Sequence, residues 1–413
     1  MTLLDALQEK APAATAEAAA AANPVDFNED SIPGIVDDIF GTALEKRASD
    51  VHFKPKENSF EVYFRVDGAL VPYKVFQKIY HHPIVARIKI LSGLKIDEHR
   101  LPQDGKSGFI FGDKEVDLRV SVLPTQFGEK VVVRLLPKNP QMVALRDIGM
   151  LPHVLLKVDK HLKNTYGMIL TVGPTGSGKS TSLFSMISTF NAKEYNISTL
   201  EDPIEYKIPD ATQTQVNPDI EFDFSEGLRT LVRQDPDIIM VGEIRDKKTA
   251  ALAIESALTG HLVFSTLHTN TAVGTIQRLL NMEIDRFLIT AAVKVIISQR
   301  LARKLCSQCR QAQPVPQKYY DLFKGAGIDP TKDFIYEAKG CATCNNTGYK
   351  GRIGLFEVLE MSPAIEELVI GNASATDIEK QAVAEGMILL RKDALYKVAT
   401  GDISIQEALR IMA

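Results

Sequence analysis

The stretch that decides the fold is "GPTGSGKST": Gly173, Pro174, Thr175, Gly176, Ser177, Gly178, Lys179, Ser180 and Thr181. It satisfies the pattern G-x-x-x-x-G-K-[S/T]. It also stands between an apolar run, "GMILTVG", and a helical pattern, the strand-loop-helix setting in which that pattern has a mechanism. Gly176 and Gly178 let backbone amides curl around phosphate. Lys179 offers a point charge to the β and γ phosphates, Ser180 offers a hydroxyl to magnesium, and the helix amino terminus adds its dipole. The ligands this implies are ATP and Mg2+, held by the whole of Gly173 to Thr181.

Downstream, the buried runs "NISTLED", "DIIMVGE" and "HLVFSTLHT" are each followed by a helical pattern, which predicts a parallel sheet covered by helices. Such a sheet presents ligands at the carboxyl ends of its strands. "LEDPIEY" places Glu201, Asp202 and Glu205 after one strand, "VGEIRD" adds Glu243, and His261 and His268 bracket another strand. A lone carboxylate at a strand end is usually a helix cap or a surface ion pair. Several beside a phosphate loop point instead to chemistry.

In "RQDPDIIMVGEIRD", Arg233 to Asp246, Gly242 stands where many phosphate-loop enzymes carry an Asp that helps hold magnesium. Magnesium keeps several of its waters, so a carboxylate can act on it through a water bridge. Glu243 is expected to do so, with Ser180 on the ion itself. Glu201 or Glu205 is expected to position the attacking water. Which of Glu201 and Glu243 serves as base stays open. His268 is read as a sensor of the γ phosphate, against the plainer reading of a neutral histidine bonded to backbone.

All four cysteines fall in two C-x-x-C pairs, Cys306 with Cys309 and Cys341 with Cys344, 31 residues apart. Four thiolates saturate a tetrahedral zinc and leave no open position, so the expected role is structural. A single redox C-x-x-C would not explain two pairs.

Upstream, "EKAPAATAEAAAAANPVD" is Ala-rich and low in complexity, which predicts a tail over residues 1–30. Residues 31–137 alternate a helical pattern, "IPGIVDDIFGTALEKRASD", with strands such as "FEVYFRVDG" and "VVVRLLP", and read as a small α+β domain. The polar, proline-bearing residues 138–152 read as a linker. An ATPase core over 153–303, a zinc module over 304–356 and a helical region over 357–413 complete the expected organisation. Net charge is −4 with 24% charged residues, so there is no global basic excess for nucleic acid. No apolar run is long enough to span a membrane and the amino terminus has no basic region followed by an apolar core, so the chain is expected in the cytosol, whose reducing conditions favour metal over disulfide at the paired cysteines.

Taken together, "LVRQDPDIIMVGEIRD", the acidic box "LEDPIEY", the histidine box ending "STLHTN" and "GPTGSGKST" resemble the secretion ATPases of type II secretion and type IV pilus assembly. The resemblance extends from about Ser31 to the carboxyl terminus. It implies an α/β architecture: a RecA-like ATPase domain, a smaller α+β, PAS-like amino-terminal domain, and a tetracysteine zinc module. It also implies a cytoplasmic homo-hexamer, associated with the inner membrane through a platform protein and other secretion or pilus components. "VDLRVSVLPTQFGEKVVVRLL" matches the segment that sends arginines to the γ phosphate, making Arg119 and Arg134 the candidates, with Arg65 a third. An arginine supplied across a domain boundary stabilises transition-state charge and ties hydrolysis to closure. Assembly and secretion members carry the cysteine module, whereas retraction members usually lack it.

Many relatives have a further amino-terminal domain that docks to the membrane partner and in some binds cyclic di-GMP. Only the Ala-rich tail precedes the core here, so the expectation is docking through another surface, or a compact branch such as a competence pilus system. Two other functional classes compete. One is a nucleotide-gated adaptor with little turnover, which intact Lys179, Glu201 and Glu243 oppose. The other is a RecA-like DNA-translocating motor, which would need basic or aromatic pore loops that the sequence does not reveal.

Overall fold

The computed structural model describes residues 31–112, 114–138, 142–331 and 334–412. The Ala-rich segment read as a tail lies outside them. The chain divides near residue 140 into two compact units.

In the amino-terminal unit, helix α1 (Ile32–Glu45) begins at Ser31, whose hydroxyl accepts a bond from the Gly34 N–H at 3.3 Å. A cap of this kind is worth about 1 kcal/mol. Ile35, Val36, Ile39, Phe40 and Ala43 form its buried face. The helical pattern of the sequence continues to Asp50, but the helix stops at Glu45. Arg47 adopts φ 58° and turns the chain into β1 (Ala48–Pro55). Then come β2 (Ser59–Val66), β3 (Ala69–Gln77), α2 (His81–Leu91), β4 (Gln103–Phe111), β5 (Lys114–Thr125) and β6 (Gly128–Pro137).

These strands form one sheet in the order β3-β2-β1-β6-β5-β4, with every neighbouring pair antiparallel. Strict in-out alternation, as in β6, sends Val131, Val133 and Leu135 to the core and leaves Arg134 outside. Phe40, Phe53, Phe60, Phe64 and Phe76 are fully buried in that core. Each buried ring contributes roughly 1.5–3 kcal/mol, so this unit is held by hydrophobic burial far more than by its caps.

The second unit opens with α3 (Pro152–Leu162) and β7 (Gly167–Val172). It continues through α4 (Lys179–Ile187), β8 (Ile197–Glu201), β9 (Thr212–Gln215), α5 (Phe224–Leu231), β10 (Ile238–Val241), α6 (Lys247–Leu258) and β11 (Leu262–Leu267). Helices α7 (Ala272–Asn281) and α8 (Arg286–Ala292) lead to the long strand β12 (Val293–Leu305). A small two-stranded sheet of β13 (Arg310–Pro314) and β14 (Phe334–Ala338), with α9 (Tyr320–Gly325) between them, precedes β15 (Tyr349–Glu360). The chain ends in α10 (Pro363–Ile370), α11 (Ala375–Ala384), α12 (Leu390–Ala399) and α13 (Ile405–Met412).

The main sheet runs β15-β12-β7-β11-β10-β8-β9. All its pairs are parallel except β12 with β15. Strands β7, β8, β10 and β11 are buried along their whole length, which is why they read as unbroken apolar runs. Because β15 returns beside β12, the cysteine segment is inserted between two neighbouring strands of the sheet that carries the phosphate loop. The segment read as a linker is packed from Leu145 on: Leu145, Ile148 and Met150 are buried, and the Gly354 N–H donates to the Ile148 carbonyl at 3.0 Å. Among the described residues no helix is long and apolar enough to cross a membrane.

Glu407, fully buried on α13, ties β12 to the carboxyl-terminal helices. It accepts bonds from the Arg303 backbone and guanidinium at 2.9–3.0 Å and from Arg410 at 2.6 and 3.0 Å. Burial by itself raises its pKa, but the bonds from Arg410 and Arg303 outweigh burial and hold it below the usual carboxylate range. A depressed folded pKa contributes stability above the unfolded value of about 4.3, lost as pH falls through the folded one. Glu407→Gln should therefore destabilise this region by about 2–3 kcal/mol at pH 7 and flatten its acid-induced loss of stability. Melting and limited-proteolysis curves from pH 7 to pH 3 check this, and curves superimposable on wild type would exclude the brace.

Candidate nucleotide site and cysteine cluster

The loop from Gly173 to Gly178 joins the carboxyl end of β7 to the amino end of α4, where Lys179 is the first helical residue. The Lys179 ammonium donates to the carbonyls of Gly173 at 3.0 Å and Pro174 at 3.2 Å. Burial pushes its pKa below the usual lysine range; the charges of Glu243 and Glu205 oppose that shift and Arg300 adds to it. Those three side chains are thus the charged surroundings of the phosphate loop. Ser177 is 3% exposed and its hydroxyl has no partner among the described residues. A buried orphan hydroxyl is costly unless a ligand completes it, which fits a loop built to receive phosphate oxygens.

Glu243 follows β10 by two residues. Its carboxylate is paired with Arg245 and lies 3.4 Å from His268 Nε2, while Arg245 reaches Asp202 at 3.5 Å. Asp202, Arg245, Glu243 and His268, from three different segments, thus form one connected polar line along the carboxyl edge. Gly242 is stitched to both neighbouring strands: its N–H donates to the Leu200 carbonyl at 2.8 Å, and its own carbonyl accepts from the Thr266 hydroxyl at 2.8 Å.

Glu201 and Glu205 differ sharply. Glu201 is 3% exposed, and its Oε1 accepts from the Thr199 hydroxyl at 2.6 Å and the Gln213 amide at 2.9 Å. Burial pushes its carboxyl above the usual range, against those two bonds and one from the Glu205 backbone. Glu205 is exposed, and among the described residues no hydrogen bond or ion pair occupies its carboxylate. His261 lies at the opposite, amino-terminal end of β11, bonded to the Ser256 carbonyl at 2.8 Å. It takes no part in this edge.

Arg119 and Arg134 sit in the amino-terminal unit. They face each other across β5 and β6, Lys106 follows beyond Arg119, and Asp50 and then Arg65 follow beyond Arg134. Asp50 holds Arg134 at 3.1 Å and Arg65 at 3.7 Å. Both candidate arginines are solvent-exposed, on a single cross-strand row.

Motif spacing did not reveal Gln213, Arg245 or Tyr206. Gln213, on the edge strand β9, donates to Glu201 and to the Tyr206 carbonyl at 2.9 Å and accepts the Ile208 N–H at 2.8 Å, so it latches the whole acidic box. Its only sequence signal is an amide in a short polar strand. Tyr206 lies 3.4 Å from the Thr181 hydroxyl and packs on Phe184.

The four cysteine sulfurs lie within 4.8 Å of one another. Cys306–Cys341, Cys309–Cys344 and Cys341–Cys344 are separated by 3.9, 3.8 and 3.7 Å. A disulfide needs about 2.05 Å, whereas a tetrahedral metal with about 2.3 Å bonds to sulfur holds the sulfurs about 3.8 Å apart. The backbone N–H groups of Cys341 and Gly348 both donate to Cys344 Sγ at 3.2 Å. Burial pushes the Cys344 thiol up, but those donors outweigh it and hold the group at about 6. The cluster can hold a metal ion.

A phosphate loop of this geometry, on a parallel sheet with acidic and histidine groups on its carboxyl edge, defines a P-loop ATPase. The chain belongs to the Type II/IV secretion system protein family, which it matches over residues 27–410. It is 44% identical over 379 residues to the type IV pilus assembly ATPase PilB of Myxococcus xanthus, covering 91% of this chain and 67% of that one. It is 42% identical over 386 residues to the type II secretion system ATPase E of Vibrio cholerae, covering 93% of this chain and 76% of that protein. It spans as little as 44% of the length of other relatives it matches. Among solved structures it resembles the pilus retraction motor PilT with bound ADP, with a TM-score of 0.60, 26% identity, and coverage of 91% of this chain and 96% of that one.

Replacing Gln213 by Leu should free the acidic box without disturbing the phosphate loop. The loss of three bonds leaves the buried Glu201 carboxyl short of a donor, at about 1–3 kcal/mol. Hydrogen exchange should rise over residues 201–208 and stay unchanged over 173–181; unchanged exchange in both segments would exclude the latch.

Proposed function

We propose that this ATPase powers the addition of subunits to a type IV pilus or a type II secretion pseudopilus, a competence pilus included. It would work as a cytoplasmic homo-hexamer against an inner-membrane platform protein. The observation that carries this reading is the complete phosphate loop facing Glu243, Glu205 and His268 on one sheet edge, in a chain about as similar to a pilus assembly ATPase as to a secretion ATPase. That edge also weighs against an adaptor that binds nucleotide without turnover. The expected organisation, a PAS-like domain before a RecA-like core, is supported by the antiparallel amino-terminal sheet and the parallel sheet that follows.

In this reading the amides of Gly173–Thr181 and the Lys179 ammonium bind the phosphates. Ser180 would hold magnesium directly and Glu243 through a water, the ion supplying charge for the phosphates when bound. Glu205 orients the attacking water and takes its proton, because its carboxylate is exposed and uncommitted. Glu201 serves better as the buried anchor of its loop. His268, within reach of Glu243, is free to exchange that contact for the γ phosphate. Arg119 and Arg134 are the proposed arginine fingers; their exposed row of positive charge suits a phosphate. Zinc is the proposed occupant of the Cys306, Cys309, Cys341 and Cys344 site, with a structural role, since all four positions are taken by sulfur.

Steady-state phosphate release from MgATP tests the enzyme. Lys179→Ala should lower turnover by about 100-fold or more, and a wild type no faster than this variant would sink the reading. Glu205→Gln should bind ATP but lose about 10²–10³-fold in kcat, with Glu201→Gln costing less than about tenfold. The opposite ranking would return the base to Glu201.

Metal analysis should find one zinc per chain. Cys306→Ser should lose it and open the segment from 304 to 348 to protease while nucleotide binding persists. A metal-free wild type with the same protease resistance would remove zinc from the account.

A further inference from the structure

Gln299 lies in the middle of β12, is 2% exposed, and belongs to no motif that the phosphate chemistry uses. Its neighbour Ser298 pairs with Val172, the last residue of β7, so Gln299 stands beside the point where the phosphate loop departs. It meets that loop at three places. Its main-chain carbonyl faces Gly173, where an added Cβ would come within 2.5 Å. Its side-chain amide nitrogen faces Gly178, where an added Cβ would come within 2.8 Å. Its Oε1 accepts the Ser182 hydroxyl at 2.8 Å, inside the first turn of α4.

Gly173 and Gly178 have φ of +151° and +88°, so both loop ends need glycine for backbone as well as for space. One residue therefore meets the start of the loop through its main-chain carbonyl, and its side chain bridges the end of the loop and the helix that follows.

The residues on either side fix Gln299 in turn. Ser298 donates its hydroxyl to the Asn270 carbonyl at 3.2 Å, and Arg300 donates to the Asn270 side chain at 3.1 Å. Asn270 is two residues beyond His268. Strand β12 is thus clamped to the histidine loop on one face while Gln299 reaches the phosphate loop from the other.

We propose that Gln299 is a positioning residue for nucleotide binding: it sets the curvature of the phosphate loop through Gly178 and Ser182, so that the loop amides converge before nucleotide arrives. The contribution is to binding in the ground and transition states alike, so it appears in affinity and leaves the chemical step alone. The proposal rests on the ATPase reading of this loop.

The test measures the Kd of a fluorescent ADP analogue, the KM and kcat for MgATP, and the melting temperature of the unliganded protein, for Gln299→Leu, Ser182→Ala and the double variant. Wild type must bind the ADP analogue; if it does not, the nucleotide reading itself falls. Given that binding, Gln299→Leu should raise Kd and KM together by about tenfold, which is 1.4 kcal/mol, with kcat within about twofold. Ser182→Ala removes the same hydrogen bond with less change in packing, so it carries the test if the leucine variant does not fold, and it should raise Kd in the same direction. The double variant should be no worse than the weaker single one, because both lose the same bond. Wild-type Kd in the folded single variants, fully additive losses, or a fall confined to kcat would each overturn the assignment.

Discussion

Lys179 carries a positive charge into the protein, and much of the second unit exists to make that position tolerable and useful. Its ammonium leans on the Gly173 and Pro174 carbonyls, which is possible only because the loop bends back over the helix that Lys179 begins. The bend requires a strand on one side and a helix amino terminus on the other. That in turn requires β7 to lie inside a parallel sheet, covered on both faces. Oppositely charged groups, Glu243 and Glu205, sit near enough to moderate the burial of Lys179 without neutralising it through contact. In the proposed function a phosphate chain would take the place of these carbonyls, offering oxygens with more charge.

The carboxylates of the edge have separate duties because they have separate environments. Glu201 is buried and bonded by Thr199 and Gln213, which makes it an anchor for the loop it opens. Glu205, four residues later, points its charge to solvent. Glu243 is held between Arg245 and His268, so the magnesium role proposed for it would require those partners to shift. Gly242 does not leave a gap at this strand end. Its backbone is bonded to β8 and to β11, and it closes the sheet where a longer side chain would have to find room.

The cysteine cluster belongs to the same architecture. It stands at the tip of the β12–β15 pair, and the Glu407 bridge to Arg303 and Arg410 fastens that pair to the last helices. The strand that ends at Leu305, one residue before Cys306, also carries Gln299 against the phosphate loop, so the cluster and the nucleotide loop adjoin one strand.

Much of this could be read from residues in order. The phosphate loop, the buried parallel strands and the two cysteine pairs are local patterns: each depends on residues a few positions apart, and hydrogen-bonding geometry acts at that range. Helix ends were less legible. The pattern running from Ile32 to Asp50 has the right period throughout, yet Ala48–Pro55 pairs with β2 and β6, and cross-strand bonds overrode the helical preference of its first residues. What only the tertiary structure decided is burial and long-range contact. Glu201 and Glu205 are the same residue type in the same box, and nothing local tells which one the β9 strand will cover. Gln299 and Gln213 are single amides in ordinary strands; their importance arises from chain segments 117 and 12 residues away meeting them. A pattern fixes what a residue can do, while the packing of distant segments fixes which of its chemically equal neighbours is left free to do it.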